Sequence, residues 1–381
     1  LHILIVKTSS LGDIIHTLPA VSDAARAIPG LKIDWVVEEA FAEIPAWHPA
    51  VNRVIPVAIR RWRKNWWQNL FGGEVRRFRQ LLRHTHYDLI IDAQGLLKSA
   101  FICRQAQGPV AGLDKNSIRE SAASWFYQQR HAVPRAEHAV QRVRQLFAKA
   151  LGYVFDANAL DYGIVLPAMR ATIHDSEAPT TLMFLHGTTW DSKHWPEPYW
   201  RELARMASDA GYRVKLPWGT ADEEARAVKV AQGLTGVQVL PRMSLTALAG
   251  ELSASDGVVA MDTGLGHLAA ALNRPTVSIY GATNPFLSGT FGYHQLQLKS
   301  DLPCAPCMRK QCHYQGQPLT DTLADGTSFV VTPACYRSAP PGEVMAHLER
   351  MISQAGFVPA SAPETPAAIA TAIANGDGAG T

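Results

Sequence analysis

Four short stretches of the chain hold residue types that could do chemistry, and each follows a run of aliphatic or β-branched residues. The first is Lys7-Thr8-Ser9-Ser10-Leu11-Gly12-Asp13, a polar turn running into a helical pattern. It lacks the Gly-x-Gly-x-x-Gly spacing of a dinucleotide loop. Asp13 nevertheless falls beyond a strand's carboxyl end, where open parallel sheets bind ligands; the plainer account is a helix cap. The second is Asp262-Thr263-Gly264-Leu265-Gly266-His267, where small residues at a helix start would let backbone N–H groups approach a phosphate. Thr263 adds a hydroxyl donor and His267 an imidazole donor, unless the histidine is simply satisfied within a turn. The third, Gly187 to Pro196, offers Thr188, Thr189 and Lys193, a set suited to a diphosphate with the lysine as point charge. A lone loop lysine is more often just solvated. The fourth, Trp218-Gly219-Thr220-Ala221-Asp222-Glu223-Glu224, could turn a carboxylate toward ribose hydroxyls. Glu223 and Glu224 serve equally as first-turn acids of a helix.

Together these loops predict a phosphate-and-ribose site in the second half of the chain and a carboxylate in the first. That pairing suits group transfer from a nucleotide-activated donor across a cleft. No Asp-x-Asp pair occurs, so the usual divalent-metal clamp for a sugar nucleotide is missing. Lys193, helix dipoles and backbone donors would then stabilise the leaving diphosphate.

The elements that must position these loops alternate as strand and helix, which predicts parallel βαβ units and an α/β fold of two doubly wound domains. Strands are expected at 3–6, 33–37 and 89–92, then at 181–186, 213–217, 237–240, 257–261 and 276–280. Helices are expected at 13–27, 74–82, 138–150, 268–272 and 341–353. The boundaries read as a first domain over 1–165, a linker over 166–180 and a second domain over 181–340. A helix over 341–355 and a tail from 356, rich in Ala, Pro, Thr and Gly and expected to be disordered, complete the chain. The 381 residues are 47% hydrophobic and 18% charged, enough apolar material for two cores. A net charge of +3 is too mild to mark a nucleic-acid binder. No apolar run approaches the roughly 20 residues that cross a bilayer, and the amino terminus reads as a strand rather than a signal peptide.

Five cysteines do not suggest an oxidised scaffold. Cys304-x-x-Cys307-x4-Cys312, followed by Cys335, would suit tetrahedral zinc by spacing, or four reduced thiols without a metal. Cys103 reads as a small buried hydrophobe.

Across roughly residues 1–285 the chain resembles the lipopolysaccharide heptosyltransferases of glycosyltransferase family 9, two-domain GT-B enzymes, and within them the type I branch. The stretches that carry the resemblance are 6–13, Asp34-Trp35-Val36-Val37-Glu38-Glu39, 53–64, Asp92-Ala93-Gln94-Gly95-Leu96-Leu97-Lys98-Ser99, Lys193-His194-Trp195-Pro196, Leu216-Pro217-Trp218-Gly219 and 262–267. The resemblance implies inverting transfer of L-glycero-D-manno-heptose from ADP-heptose to the inner Kdo of Kdo2-lipid A, without a metal or other cofactor. It implies Asp13 as general base and Lys193 as stabiliser of the leaving group. Thr188, Thr189, Lys193, Thr263, Gly264 and His267 match positions around the donor diphosphate, Glu223 the ribose, Met243 the adenine and Asp262 the donor. Arg60, Arg61, Arg63, Lys64, Gln94, Lys98 and Arg119 match positions on the acceptor side. The final helix would return to the first domain, as in many GT-B chains. The cysteine cluster fits the type II branch better. Type II or another core glycosyltransferase, or a non-catalytic binder of ADP-sugar or glycolipid, is the alternative reading.

One further segment fits that acceptor. Residues 53–83 hold nine basic residues against one acid, Glu74, with Trp62, Trp66, Trp67, Leu70 and Phe71 interleaved. A solvated basic face is the ordinary account of such a run. An anionic glycolipid gives it a charge-matched partner, which predicts peripheral contact with the cytoplasmic face of the inner membrane.

Overall fold

The structure is a computed structural model that describes residues 1–64, 73–167 and 180–355. Six parallel strands, β1 (His2–Val6), β2 (Lys32–Glu38), β3 (Val51–Val57), β4 (Leu89–Asp92), β5 (Val110–Leu113) and β6 (Gln129–His131), form the first sheet in the order β3-β2-β1-β4-β5-β6. The second sheet holds β7 (Thr181–Leu185), β8 (Arg213–Leu216), β9 (Val237–Val239), β10 (Gly257–Met261), β11 (Thr276–Tyr280) and β12 (Gln295–Lys299), also parallel, in the order β12-β11-β10-β7-β8-β9. Counted from its own first strand, the second sheet repeats the order of the first. Both are doubly wound, and each order reverses once: beside β1 and β4 in one sheet, beside β7 and β10 in the other. Ligands bind at such reversals, beyond the strands' carboxyl ends.

Both faces of each sheet are covered, as parallel sheets require. Ile3 and Ile5 face one apolar cluster while Leu4 and Val6 face another. In the second sheet Met183 and Leu185 oppose Leu182 and Phe184 in the same way. One cluster is shared: Ile14, Ile15 and Leu18 of the first sheet's helices join Leu248, Leu252 and Leu268 of the second's. The two domains therefore have a continuous apolar contact.

Three differences from the sequence expectations have physical reasons. The helix expected over 13–27 is two, Leu11–Ile15 and Leu18–Ala27, because Pro19 has no N–H to continue the first and instead sits in the opening turn of the second. The strand Val51–Val57 was not foreseen; it carries Pro56 and lies at the sheet's edge, where a missing N–H is tolerated. The last helix, Pro341–Gln354, does not return to the first domain. Its Val344, Met345 and Leu348 pack with Trp200 of the helix Glu197–Asp209 and with Val259 of the second sheet, and Gly257 gives it room: a Cβ there would come within 2.7 Å of Ile352. That apolar face is satisfied locally, which corrects the expectation. Most of the expected linker and the expected tail lie outside the described residues.

Candidate active site

At the first sheet's reversal, the loop after β1 leads into the helix Leu11–Ile15 with Ser10 as N-cap. Asp13 Oδ2 accepts from the Ser10 N–H at 2.8 Å and from the Ser10 hydroxyl at 2.9 Å. The cap reading of Asp13 is thus correct, and it consumes one oxygen only. Oδ1 faces the Lys7 ammonium at 3.8 Å, and the side chain is 45% exposed. Burial alone would raise this carboxyl, but Lys7, the two Ser10 contacts and His267 outweigh it and hold it below the ordinary aspartate value. Lys7 is fixed in turn by donating to Ala93 O at 2.9 Å. Gln94, after β4, shapes the same loop by accepting the N–H groups of Thr8 and Ser9 at 3.0 and 3.1 Å. Beneath it, the buried Asp92 accepts from Gln94 N, Gly95 N, Ser99 Oγ and Tyr127 Oη.

At the second sheet's reversal the central group is Asp262, after β10. Its Oδ2 meets the Lys193 ammonium at 2.6 Å and accepts from the Thr283 hydroxyl at 2.5 Å, while His267 Nε2 stands 4.0 Å from Oδ1. Lys193 also lies over the Trp190 ring, 4.5 Å from its centroid. Thr188 donates to Asp262 O at 3.1 Å, and Thr189 is exposed beside it. The helix Gly264–Ala271 begins here with Thr263 as N-cap; Gly266 N donates to Thr263 O at 3.1 Å, which leaves the N–H groups of Gly264 and Leu265 without intrahelical partners. Glu223 Oε2 accepts from Gly219 N and Thr220 N, the reciprocal cap of the helix Ala221–Ala231. Its other oxygen lies against Gly187, where a Cβ would come within 2.4 Å. Met243 packs at the edge of the shared apolar cluster.

The two constellations touch. A Cβ on Gly12 would come within 2.5 Å of the His267 ring, and one on Gly264 within 2.5 Å of Leu11. Glycine on each side lets the first turns of two helices, one from each domain, meet at backbone distance. The charges of Asp13 and Asp262 both act on the His267 ring, so the two carboxylates stand close to one imidazole.

The model of glycosyltransferase family 9 (heptosyltransferase) matches residues 75–317. Lipopolysaccharide heptosyltransferase 1 of Pseudomonas aeruginosa is 55% identical over 356 residues, covering 92% of this chain and 98% of that one. The chain belongs to glycosyltransferase family 9, the heptosyltransferases. Among solved structures, the Escherichia coli heptosyltransferase WaaC with ADP is 50% identical with a TM-score of 0.73, covering 78% of this chain and 93% of that one. WaaC with ADP-2-deoxy-2-fluoro heptose is 49% identical with a TM-score of 0.71, covering 79% and 93%. The fold of this heptosyltransferase is accordingly the two-domain GT-B architecture.

On the enzyme's acceptor side the basic residues are less uniform than their sequence. Arg61 is clamped between Glu39 and Glu74, with contacts of 2.6 to 3.1 Å, so it is not a free cation here. Glu39 was absent from the charge count because it precedes that segment in the chain. Arg60 anchors the helix Ile59–Lys64 through its N–H to Glu38, and its exposed guanidinium lies 5.3 Å from the Phe41 centroid. Arg63 and Arg119 are exposed, and Lys98 reaches Ser9 Oγ at 3.3 Å. Trp62 packs edge-on against Phe78. Trp66, Trp67, Leu70 and Phe71 lie outside the described residues, as does the side chain of Lys64.

The four cysteines Cys304, Cys307, Cys312 and Cys335 line one cavity of about 530 Å³, and all are free thiols. Burial, then the other three thiols, pushes Cys335 up to about 12. Among the described residues no group of three or more His, Cys, Asp or Glu side chains is gathered closely enough to hold a metal ion. The segment has a visible structural role: Arg309 O and Lys310 O accept from the hydroxyl and N–H of the buried Ser192, bracing the turn that carries Lys193. Cys103 is buried in the first domain's core, as expected.

Sequence reasoning missed Ser192, Thr283, Gly12 as a contact residue, and His16. It also missed Glu43 and Trp47, which cross the domain boundary to Thr246. Thr283 follows β11, and a hydroxyl after a strand's end was the signal available. Ser192 is defined by a segment more than a hundred residues further along its own domain, and the rest by the packing of one domain on the other.

Proposed function

We propose that this enzyme transfers L-glycero-D-manno-heptose from ADP-heptose to the inner Kdo of Kdo2-lipid A in a single inverting displacement. The observation that carries the reading is the glycine-mediated contact at Gly12 and Gly264. It brings the Asp13 loop of one domain against the His267 ring of the other, which supports a base on one side and a diphosphate site on the other. The kinship with lipopolysaccharide heptosyltransferase 1 of Pseudomonas aeruginosa and with WaaC, solved with ADP and with an ADP-heptose analogue, supports the donor and the type.

In this mechanism Asp13 Oδ1 takes the proton of the acceptor hydroxyl while that oxygen bonds to the anomeric carbon. Ser10 and Lys7 keep the carboxylate ionised and aimed, and a depressed pKa suits a base that receives its proton late. The bond from the anomeric carbon to the diphosphate oxygen breaks, and ADP leaves with the electron pair. Attack from the first domain and departure into the second place the two events on opposite faces of the sugar, which inverts its configuration. Lys193, the Thr263–Gly264 helix terminus and the His267 ring would carry the developing charge. Lys193 is held by Asp262 before the donor arrives, so the diphosphate competes for a cation already in place. Glu223 would take the ribose hydroxyls and Met243 would pack beside the adenine. No divalent cation is required by this set of groups. The exposed Arg60 and Arg63 suit the anionic acceptor at a membrane surface, and among the described residues no helix is long and apolar enough to cross a membrane.

The test is to incubate the protein with ADP-heptose and Kdo2-lipid A and to weigh the lipid product. One added heptose is expected, undiminished by chelator. Transfer only to an acceptor that already carries heptose would move the enzyme to type II. ADP release without lipid product would remove the transferase reading.

A further inference from the structure

Three histidines meet where the domains touch. His16, 4% exposed, ends the helix Leu11–Ile15 in the first domain. Its Nε2 lies 3.1 Å from Nδ1 of His267 in the second domain, with the rings edge-on and their centroids 4.4 Å apart. The opposite ring nitrogen of His267, Nε2, turns toward Asp262. His138 stands on the other side of His16, at 5.5 Å. Its Nδ1 accepts from Val140 N and its Nε2 lies 3.1 Å from Gly289 O, so backbone groups fix it as the neutral Nε2–H form.

Burial lowers the pKa of all three rings, His16 well below the ordinary value and His138 to about 4. The groups facing His16 are His267, His138 and the Lys7 ammonium, all of which oppose a charge on it. Asp13 and Asp262 face His267 and Lys193 opposes them, yet burial prevails there as well. Two neutral imidazoles meeting through Nε2 and Nδ1 share a single proton. With that proton on His267 Nδ1, the unprotonated His267 Nε2 would stand 4.0 Å from the Asp262 carboxylate, acceptor beside acceptor in a buried site. With it on His16 Nε2, His267 carries its own proton on Nε2.

We propose that His16 is a positioning residue that fixes His267 as the Nε2–H form, so that the second domain's cradle presents a hydrogen-bond donor to the diphosphate. The donor site is thus completed by a residue of the acceptor domain. It takes its full polarity only when the two domains are in contact. This rests on the reading of the 262–267 loop as a diphosphate site.

Long-range proton–nitrogen correlation spectra of the ¹⁵N-labelled full chain read each imidazole form without any ligand. The expected result is Nε2–H for His267; Nδ1–H overturns the proposal. His16→Leu keeps the volume and removes the donor, while His16→Gln offers an amide N–H in its place. With ADP as the probe in calorimetry, His16→Leu should weaken binding roughly tenfold, the effect of one lost buried hydrogen bond, and His16→Gln should restore most of it. Wild-type affinity in His16→Leu, or equal loss in both folded variants, overturns the proposal. Wild-type protein that binds no ADP overturns the diphosphate-site reading instead, and the ligand-free spectra still report the ring form.

Discussion

At the reversal of the first sheet, the Asp13 carboxylate is hydrogen-bonded through Oδ2 and meets a lysine at Oδ1 only at 3.8 Å. At the same point of the second sheet, the carboxylate of Asp262 is engaged by a lysine and a threonine. The two sheets share one strand order, so topology supplies the crevice and leaves its chemistry to the loops. In the first domain the loop spends its polar groups on shaping itself, with Gln94 and Ser10 occupied and Asp13 Oδ1 loosely paired with Lys7. The second domain stores positive charge by pairing it. A base must be available before the reaction, whereas a diphosphate stabiliser has only to be exchangeable.

That contrast can be broken most sharply at Asp13. Asp13→Asn keeps the shape and removes the base, and turnover should fall by about 10²–10⁴-fold while ADP affinity holds. Near-normal turnover would end the base assignment. Because the folded Asp13 is held below the ordinary aspartate value, the ionised form is present above that lowered value and is lost as pH falls through it. The acid limb of kcat/KM should therefore lie below the ordinary value near 3.9. A limb near 6 in wild type would point to another group.

Lys193→Ala comes next. It removes one electrostatic stabiliser and leaves Asp262 unopposed, and should lower turnover by roughly 10²–10³-fold. Loss confined to donor KM, with kcat unchanged, would make Lys193 a ground-state anchor only. Gly12→Ala tests the contact between the two constellations. On an isolated helix alanine is favoured over glycine by about 1 kcal/mol. Here the added carbon meets the His267 ring, so thermal unfolding should show destabilisation of about 1–3 kcal/mol together with reduced turnover. A stabilised, fully active variant would mean that the domains meet less closely than described. The smallest effect is expected on the acceptor side. Neutralising Arg60 and Arg63 together should raise acceptor KM several-fold with little change in donor KM. The salt-bridged Arg61 should additionally cost stability when replaced. Equal changes in both KM values would detach this face from the acceptor.

Much of this arrangement was legible because strands in parallel sheets are short apolar runs and loops follow their ends. Asp13, Lys193, Asp262 and His267 all follow apolar runs in the sequence, which places them in loops after strands. Their partners were harder. Glu39 clamps Arg61 from across two elements, and Thr283 shares Asp262 with Lys193 from a neighbouring strand. The edge strand with Pro56 was hidden by a residue that ordinarily argues against a strand. The helix Gly264–Ala271 starts four residues before the expected position because its two glycines mask it. The final helix was misplaced because its position was taken from other GT-B chains, while its own apolar stripe shows only that some surface is covered.

The placement of that last helix bears on how the protein is made. With the helix on the second domain, each domain is one uninterrupted stretch of chain, and neither must wait for a distant segment to complete its sheet. The first can form its strand order while the remainder is still being synthesised, as domains generally do. Its surface around Ile14, Ile15 and Leu18 stays uncovered until Leu248 and Leu268 have left the ribosome. During that interval the nascent chain shows an apolar face that is open to aggregation and to chaperone capture.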